Sequence, residues 1–249
     1  MSTYENRPRI MPLAILAAIA VLLAGVVWFV ARGDDAAADS QQRSETSSTE
    51  AGQESEQLVP ETPPKDGVVL PQGANQVDGH PVQFPYTDLG AVAVQAEVAK
   101  GQVGFDYDQA TAIAGIYAAP EDKATFEQRS RDAVALRRKQ AGVQAQGEVP
   151  APASYAVTPV AFTVEELDTD YYVVNLLSYI TLTTTEGKVS DFLYAGTQLV
   201  RWTDGDWKLI QGSGAEYQQL INEGQPQAVA PGTPEFEQAG WIPIDGGLQ

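Results

Sequence analysis

The sequence predicts an α+β domain carried behind an apolar segment, and three observations point there. Residues 87–141 read as consecutive helical segments with start and stop signals. Residues 155–210 read as apolar-rich alternating runs broken by Gly turns. The run "RWTDGDWKLI" (201–210) is two short half-buried strands hinged at Asp204-Gly205. Helices followed by an antiparallel meander give a sheet with helices on one face.

The elements follow in order along the 249 residues. Residues 1–9 form a short polar tail with Arg7 and Arg9. Residues 10–31, "IMPLAILAAIAVLLAGVVWFVA", hold no charged side chain. As a helix they span about 33 Å, enough for a hydrocarbon core of roughly 30 Å. Trp28 and Phe29 sit at the outer end, where interfacial aromatics anchor. The competing reading is a cleaved signal peptide, but its apolar region should be shorter and its small-residue site closer. Arg7 and Arg9 before the span, against Arg32 after it, place the amino terminus in the cytoplasm and the bulk outside. Residues 32–67 are rich in Ser, Gln, Glu, Thr and Ala, too polar to offset their ordering entropy, and read as a disordered tether. Such a tether reaches on the order of 30 to 35 Å.

The external domain is expected over 68–223. Residues 67–85 read as an extended lead-in punctuated by Gly and Pro. Thr87 can cap a helix carrying Leu89, Val92, Ala93, Ala96 and Val98. A second, short helix must stop near Pro120. A third ends in Arg137, Arg138 and Lys139, which suits the helix dipole and reads as a solvated helix end, with Gly142 as its stop. Four strands follow. The second puts Val174, Leu176, Ile180 and Leu182 on one face, and Tyr171, Val173, Asn175, Leu177, Tyr179 and Thr181 on the other. Glu186-Gly187 makes the next turn, and Gly196 suggests a bulge in the third strand. A short helix is expected over 214–224. In the extension, 224–249, Trp241, Ile242 and Ile244 are too apolar for an inert tail, so they either dock back on the domain or form a partner-binding peptide.

Composition excludes several functions. With 33 acidic and 15 basic side chains the formal charge is −18, which would repel nucleic acid. No cysteine is present, so disulfides, thiolate zinc and a cysteine nucleophile are out. His80, alone in the chain, has no second His or Cys to complete a transition-metal site. The pairs in "DYD" (106–108) and "DTD" (168–170) do not continue into a calcium loop. No phosphate loop, dinucleotide fingerprint or nucleophile elbow occurs. No cofactor is expected.

Three helices and four strands closing on "W-x-D-G-x-W-x-L" resemble the nuclear-transport-factor-two-like fold over roughly residues 84–211. The resemblance implies a curved four-stranded antiparallel sheet wrapped on a long helix. It also implies that enzymes of this kind hold an acid/base pair inside the cone of the sheet. Asp106, Tyr107, Tyr117, Tyr172, Asn175, Tyr179 and Asp191 are the groups to consider. Asp191, beside Ser190 at a strand start, reads as exposed, so no catalytic residue is assigned. Tyr107, Tyr117, Tyr172, Asn175 and Tyr179 remain candidates to line a pocket. The arrangement of tail, span, linker and external domain is similar to the bitopic scaffold proteins of type IV secretion and conjugation systems. The Ala-, Gly-, Val- and acid-rich, Lys-poor composition suits an actinobacterial source. The resemblance implies a non-enzymatic assembly component whose partners are other membrane or cell-envelope proteins, or further copies of itself. The alternatives are a module holding a small ligand in the cone, and an external lyase or isomerase acting through Asp106 or Asp191.

Overall fold

A computed structural model describes residues 67–213, 215, 220 and 227–247. The tail, the apolar segment 10–31, the tether up to residue 66 and most of the short helix expected over 214–224 lie outside the described residues. No helix among the described residues is long and apolar enough to cross a membrane.

The domain is α+β. A hairpin of β1 (Asn75–Val77) and β2 (His80–Val82) precedes α1 (Asp88–Gly101), α2 (Tyr107–Tyr117) and α3 (Lys123–Gln140). The strands β3 (Ser154–Asp168), β4 (Tyr171–Thr183), β5 (Val189–Thr203) and β6 (Asp206–Ile210) follow, then α4 (Pro234–Gln238) and β7 (Ile242–Pro243). The main sheet is antiparallel, in the order β6-β5-β4-β3-β7. The meander β3 to β6 is the expected one. The fifth strand is a correction: Ala161 pairs with Pro243 and Phe162 with Ile242, so the extension closes the outer edge of β3. Two residues are too few to show a strand period. The supposed lead-in is also more ordered than expected, turning at Asp78-Gly79 with φ of 51° and 82°.

Local chemistry explains the boundaries. The Thr87 hydroxyl accepts from Gly90 N at 3.1 Å and starts α1. Asp106 accepts from Gln109 N at 2.8 Å and starts α2, which ends at Tyr117 ahead of Pro120. Asp204 and Gly205, with φ of 55° and 80°, make the two-residue hairpin turn between β5 and β6. Gly196 makes no bulge: it faces Leu176 in unbroken register, and a Cβ there would meet the Tyr194 ring at 3.0 Å. The register shifts lie in β3, between Pro159 and Ala161 and between Glu166 and Asp168.

The helices do not all lie on the sheet. Helix α1 packs on β3 and β4, while α3 packs chiefly on α2. The main core joins α1 (Val92, Val94, Ala96) to Phe162, Val174, Val200 and Trp207. The opposite face of the sheet is covered in part by the extension: Phe236 and Trp241 pack on Val160, Leu177 and Ala195.

The basic end of α3 corrects the solvated-end reading for its two arginines, whereas Lys139 is exposed as expected. Arg137 and Arg138 are only 5% and 6% exposed. Arg137 donates to Gln102 O at 2.5 Å, and Arg138 donates to Phe105 O and Gln144 O, each at 2.8 Å. Both guanidiniums also lie over rings, Arg137 on Tyr155 at 4.8 Å and Arg138 on Tyr107 at 5.3 Å. Burial pulls the Arg137 guanidinium below its ordinary range. These arginines tie the α1–α2 connection and the loop after α3 to one helix end.

Candidate functional site

The five candidate pocket residues do not converge. Tyr172 lies on the helix-facing side of the sheet, in register with Glu166 and Val200. Asn175 and Tyr179 alternate onto the opposite side. Asn175 bridges two strands, donating to Thr163 Oγ1 at 2.9 Å and accepting from Thr197 Oγ1 at 2.6 Å. Tyr179 is exposed. Tyr117 is fully buried and its hydroxyl donates to Pro81 O at 2.8 Å. Burial, then the charges of Glu97 and Asp206, push its phenol well above the ordinary tyrosine range. Tyr107 donates to Ala145 O at 3.0 Å under Arg138. The two carboxylates considered for proton transfer have structural tasks. Asp106 caps α2, and exposed Asp191 accepts from Thr181 Oγ1 at 2.6 Å.

Trp241, Ile242 and Ile244 dock back, the first of their two expected fates. Trp241 is buried and its Nε1 donates to Gln227 O at 3.0 Å. Ile242 sits in β7, and Ile244 joins the main core. Spent on the domain itself, these side chains do not form a free partner-binding peptide.

Two cavities stand out among the described residues. The larger, about 760 Å³, lies between the β1–β2 hairpin, α2, α3 and β6. Its charges largely answer one another: Lys208 to Asp206 at 3.2 Å, Lys123 to Glu127 at 3.8 Å, Arg131 to Asp108 at 3.9 Å. Asp206 is the structural centre of this region. Only 5% exposed, it accepts from Phe84 N at 3.1 Å and Trp207 N at 2.9 Å, tying the segment before α1 to the closing hairpin.

The smaller cavity, about 350 Å³, has walls from Tyr86, Tyr172, Val164 and the buried Trp207, with Asp88 and Glu166 at its rim. The rings form a connected cluster. Tyr86 packs on Trp202 with centroids 4.9 Å apart and stacks over Trp207 at 5.9 Å, and Tyr172 meets Trp207 edge-on at 5.3 Å. The Tyr86 hydroxyl donates to Asp170, and Trp207 Nε1 donates to Pro85 O at 2.9 Å. Only Tyr172 of this group was among the sequence candidates. The paired tryptophans of the hairpin were visible in the sequence, but nothing there places Tyr86 beside them.

Residues 109–223 match the family model described as a domain of unknown function (DUF8175). The matched stretch leaves out α1, Tyr86 and the strand β7. No curated protein matches the chain. Among solved structures, the intermembrane space region of the chloroplast protein ARC6 is similar at 16% identity and a TM-score of 0.32, over 49% of this chain and 89% of that one.

Proposed function

We propose that the protein is a non-enzymatic assembly component, held at a membrane by residues 10–31, that works through contacts made by the surface of an extracytoplasmic domain. One observation carries this reading over a ligand held in a cone of the sheet. The middle of the helix-facing side of the sheet is filled by side chains, with Phe162, Val174, Val200 and Trp207 all fully buried under α1, and the opening on that side lies at its edge, beside Tyr86. Interiors packed in this way exchange contents only at the cost of cavities or strain. The groups best suited to proton transfer are engaged in capping and inter-strand bonds, which supports contact-making over turnover. The nuclear-transport-factor-two-like resemblance and the likeness to bitopic scaffolds of conjugation or secretion systems belong to the same proposal. A tether of this length raises the effective concentration of partners at the membrane.

Chemical cross-linking of full-length protein in its native cells, followed by membrane fractionation, tests the reading. Discrete cross-linked species in the membrane fraction are expected, either of the chain with itself or with envelope proteins. A chain that fractionates with soluble material, or stays monomeric and un-cross-linked in the membrane, refutes it.

A further inference from the structure

The aromatic cavity has a chemistry that the assembly reading does not use. Its walls are tyrosine rings backed by tryptophan, and its lining side chains include two carboxylates, Asp88 and Glu166, and no basic group. A third carboxylate, Asp170, holds the Tyr86 hydroxyl beside it. Trp207 has no exposed surface, so it backs the pocket while Tyr86, 55% exposed, and the half-buried Tyr172 present themselves. The first amide donors of α1, which would favour an anion, are already occupied: Gly90 N by the Thr87 hydroxyl and Leu89 N by Asp88 at 2.8 Å. The field at the pocket is negative. The Tyr172 phenol is raised by burial first, and then by the charges of Glu166, Asp88 and Asp170.

Aromatic faces attract cations through their quadrupole, and the attraction grows where carboxylates add countercharge and water is partly excluded. The volume, about 350 Å³, lies at the small end of ligand sites, which run from about 300 to 1,000 Å³. We propose that this pocket binds an organic ammonium group, seated against the rings of Tyr86 and Tyr172 with Glu166 as countercharge. The larger cavity does not offer the same chemistry: no aromatic ring among the described residues lines it, and Lys123, Arg131 and Lys208 sit among its carboxylates.

The test is a titration of full-length protein in lipid nanodiscs, read by the fluorescence of its four tryptophans, of which Trp202 and Trp207 lie in the pocket's ring cluster, with Trp28→Phe and Trp241→Phe variants isolating their signal. The probes are choline, its neutral isostere 3,3-dimethyl-1-butanol, and N-acetyl-lysine methylamide. Saturable binding of choline about 5- to 30-fold tighter than the isostere is expected from a ring contact plus a partly exposed carboxylate. Tighter binding of the lysine analogue than of choline would also support the pocket, and would assign it to a primary ammonium such as a protein side chain. Replacing the exposed Glu166 by Gln should weaken the preferred cation about 2- to 5-fold and leave the isostere unchanged. Equal affinity for choline and the isostere, no saturable binding of either cation, or an unchanged Glu166→Gln titration would overturn the proposal. None of these results bears on membrane cross-linking, so the pocket and the assembly role fail separately.

Discussion

Asp206→Ala removes the link between the segment before α1 and the closing hairpin. The carboxylate accepts from two backbone amides, Phe84 N and Trp207 N, and pairs with Lys208 at 3.2 Å. The side chains of Asp206 and Lys208 are only 7% and 19% exposed. Deleting the anion therefore leaves a largely buried ammonium with one remaining partner, Ile116 O at 3.2 Å, and two buried amides, Phe84 N and Trp207 N, without the acceptor they share. Breaking one side of a buried pair costs about 3–5 kcal/mol, and each amide left without an acceptor costs about 1–3 kcal/mol on its own. Asp206→Asn keeps an acceptor for the amides and should lose about half as much. The assay is urea unfolding followed by tryptophan fluorescence. Lys208→Met added to Asp206→Ala should recover at least about 1 kcal/mol, because it removes the unpaired charge. An Asp206→Ala variant within about 1 kcal/mol of the parent, or strictly additive single changes, would refute the reasoning.

Gly90→Ala should destabilise by more than about 2 kcal/mol although alanine favours helices, since its Cβ would land on the Pro85 carbonyl beside Trp207 Nε1; thermal melts check it. Trp241→Ala should release the extension, at a cost of about 3–5 kcal/mol if unfolding is cooperative. Hydrogen exchange would show it as lost protection at Ile244 N, which bonds Val160 O at 2.9 Å. Burial, with a smaller contribution from Tyr155, pushes the Tyr194 phenol from 10.0 up to about 12. Only the unfolded chain then ionises this group between those values, so stability should hold below pH 10 and fall as pH rises towards about 12. Tyr194→Phe should make that fall shallower in pH-dependent unfolding curves.

The strands of the meander were legible because each is long enough to show its period and each faces a core. The split of Tyr172 from Asn175 and Tyr179 is present in the alternation along β4, and it rules out a pocket shared by those three. The same Asp-Gly signal marks two hairpins. At 204–205 it joins long patterned strands, whereas at 78–79 it joins strands of three residues each, too short to read. Strand β7 exists only because β3 presents an open edge, which is a tertiary fact. Arg137 and Arg138 satisfy the helix-dipole rule equally well exposed or buried. What decides between these is the row of carbonyls at Gln102, Phe105 and Gln144, supplied by other segments. The aromatic pocket needs residue 86 beside residues 172, 202 and 207, a pairing set by how α1 crosses the sheet.

The most direct test of a surface-acting, membrane-held domain is photo-cross-linking from single positions in living cells. A photoreactive residue at Tyr86, at the rim of the aromatic pocket, and another at Tyr179, exposed on the opposite side of the sheet, sample both faces. Discrete protein adducts in the membrane fraction from at least one of these positions are the expected result. Membrane-bound protein that yields no protein adduct from either position, or from a wider scan of exposed sites, would contradict an assembly role.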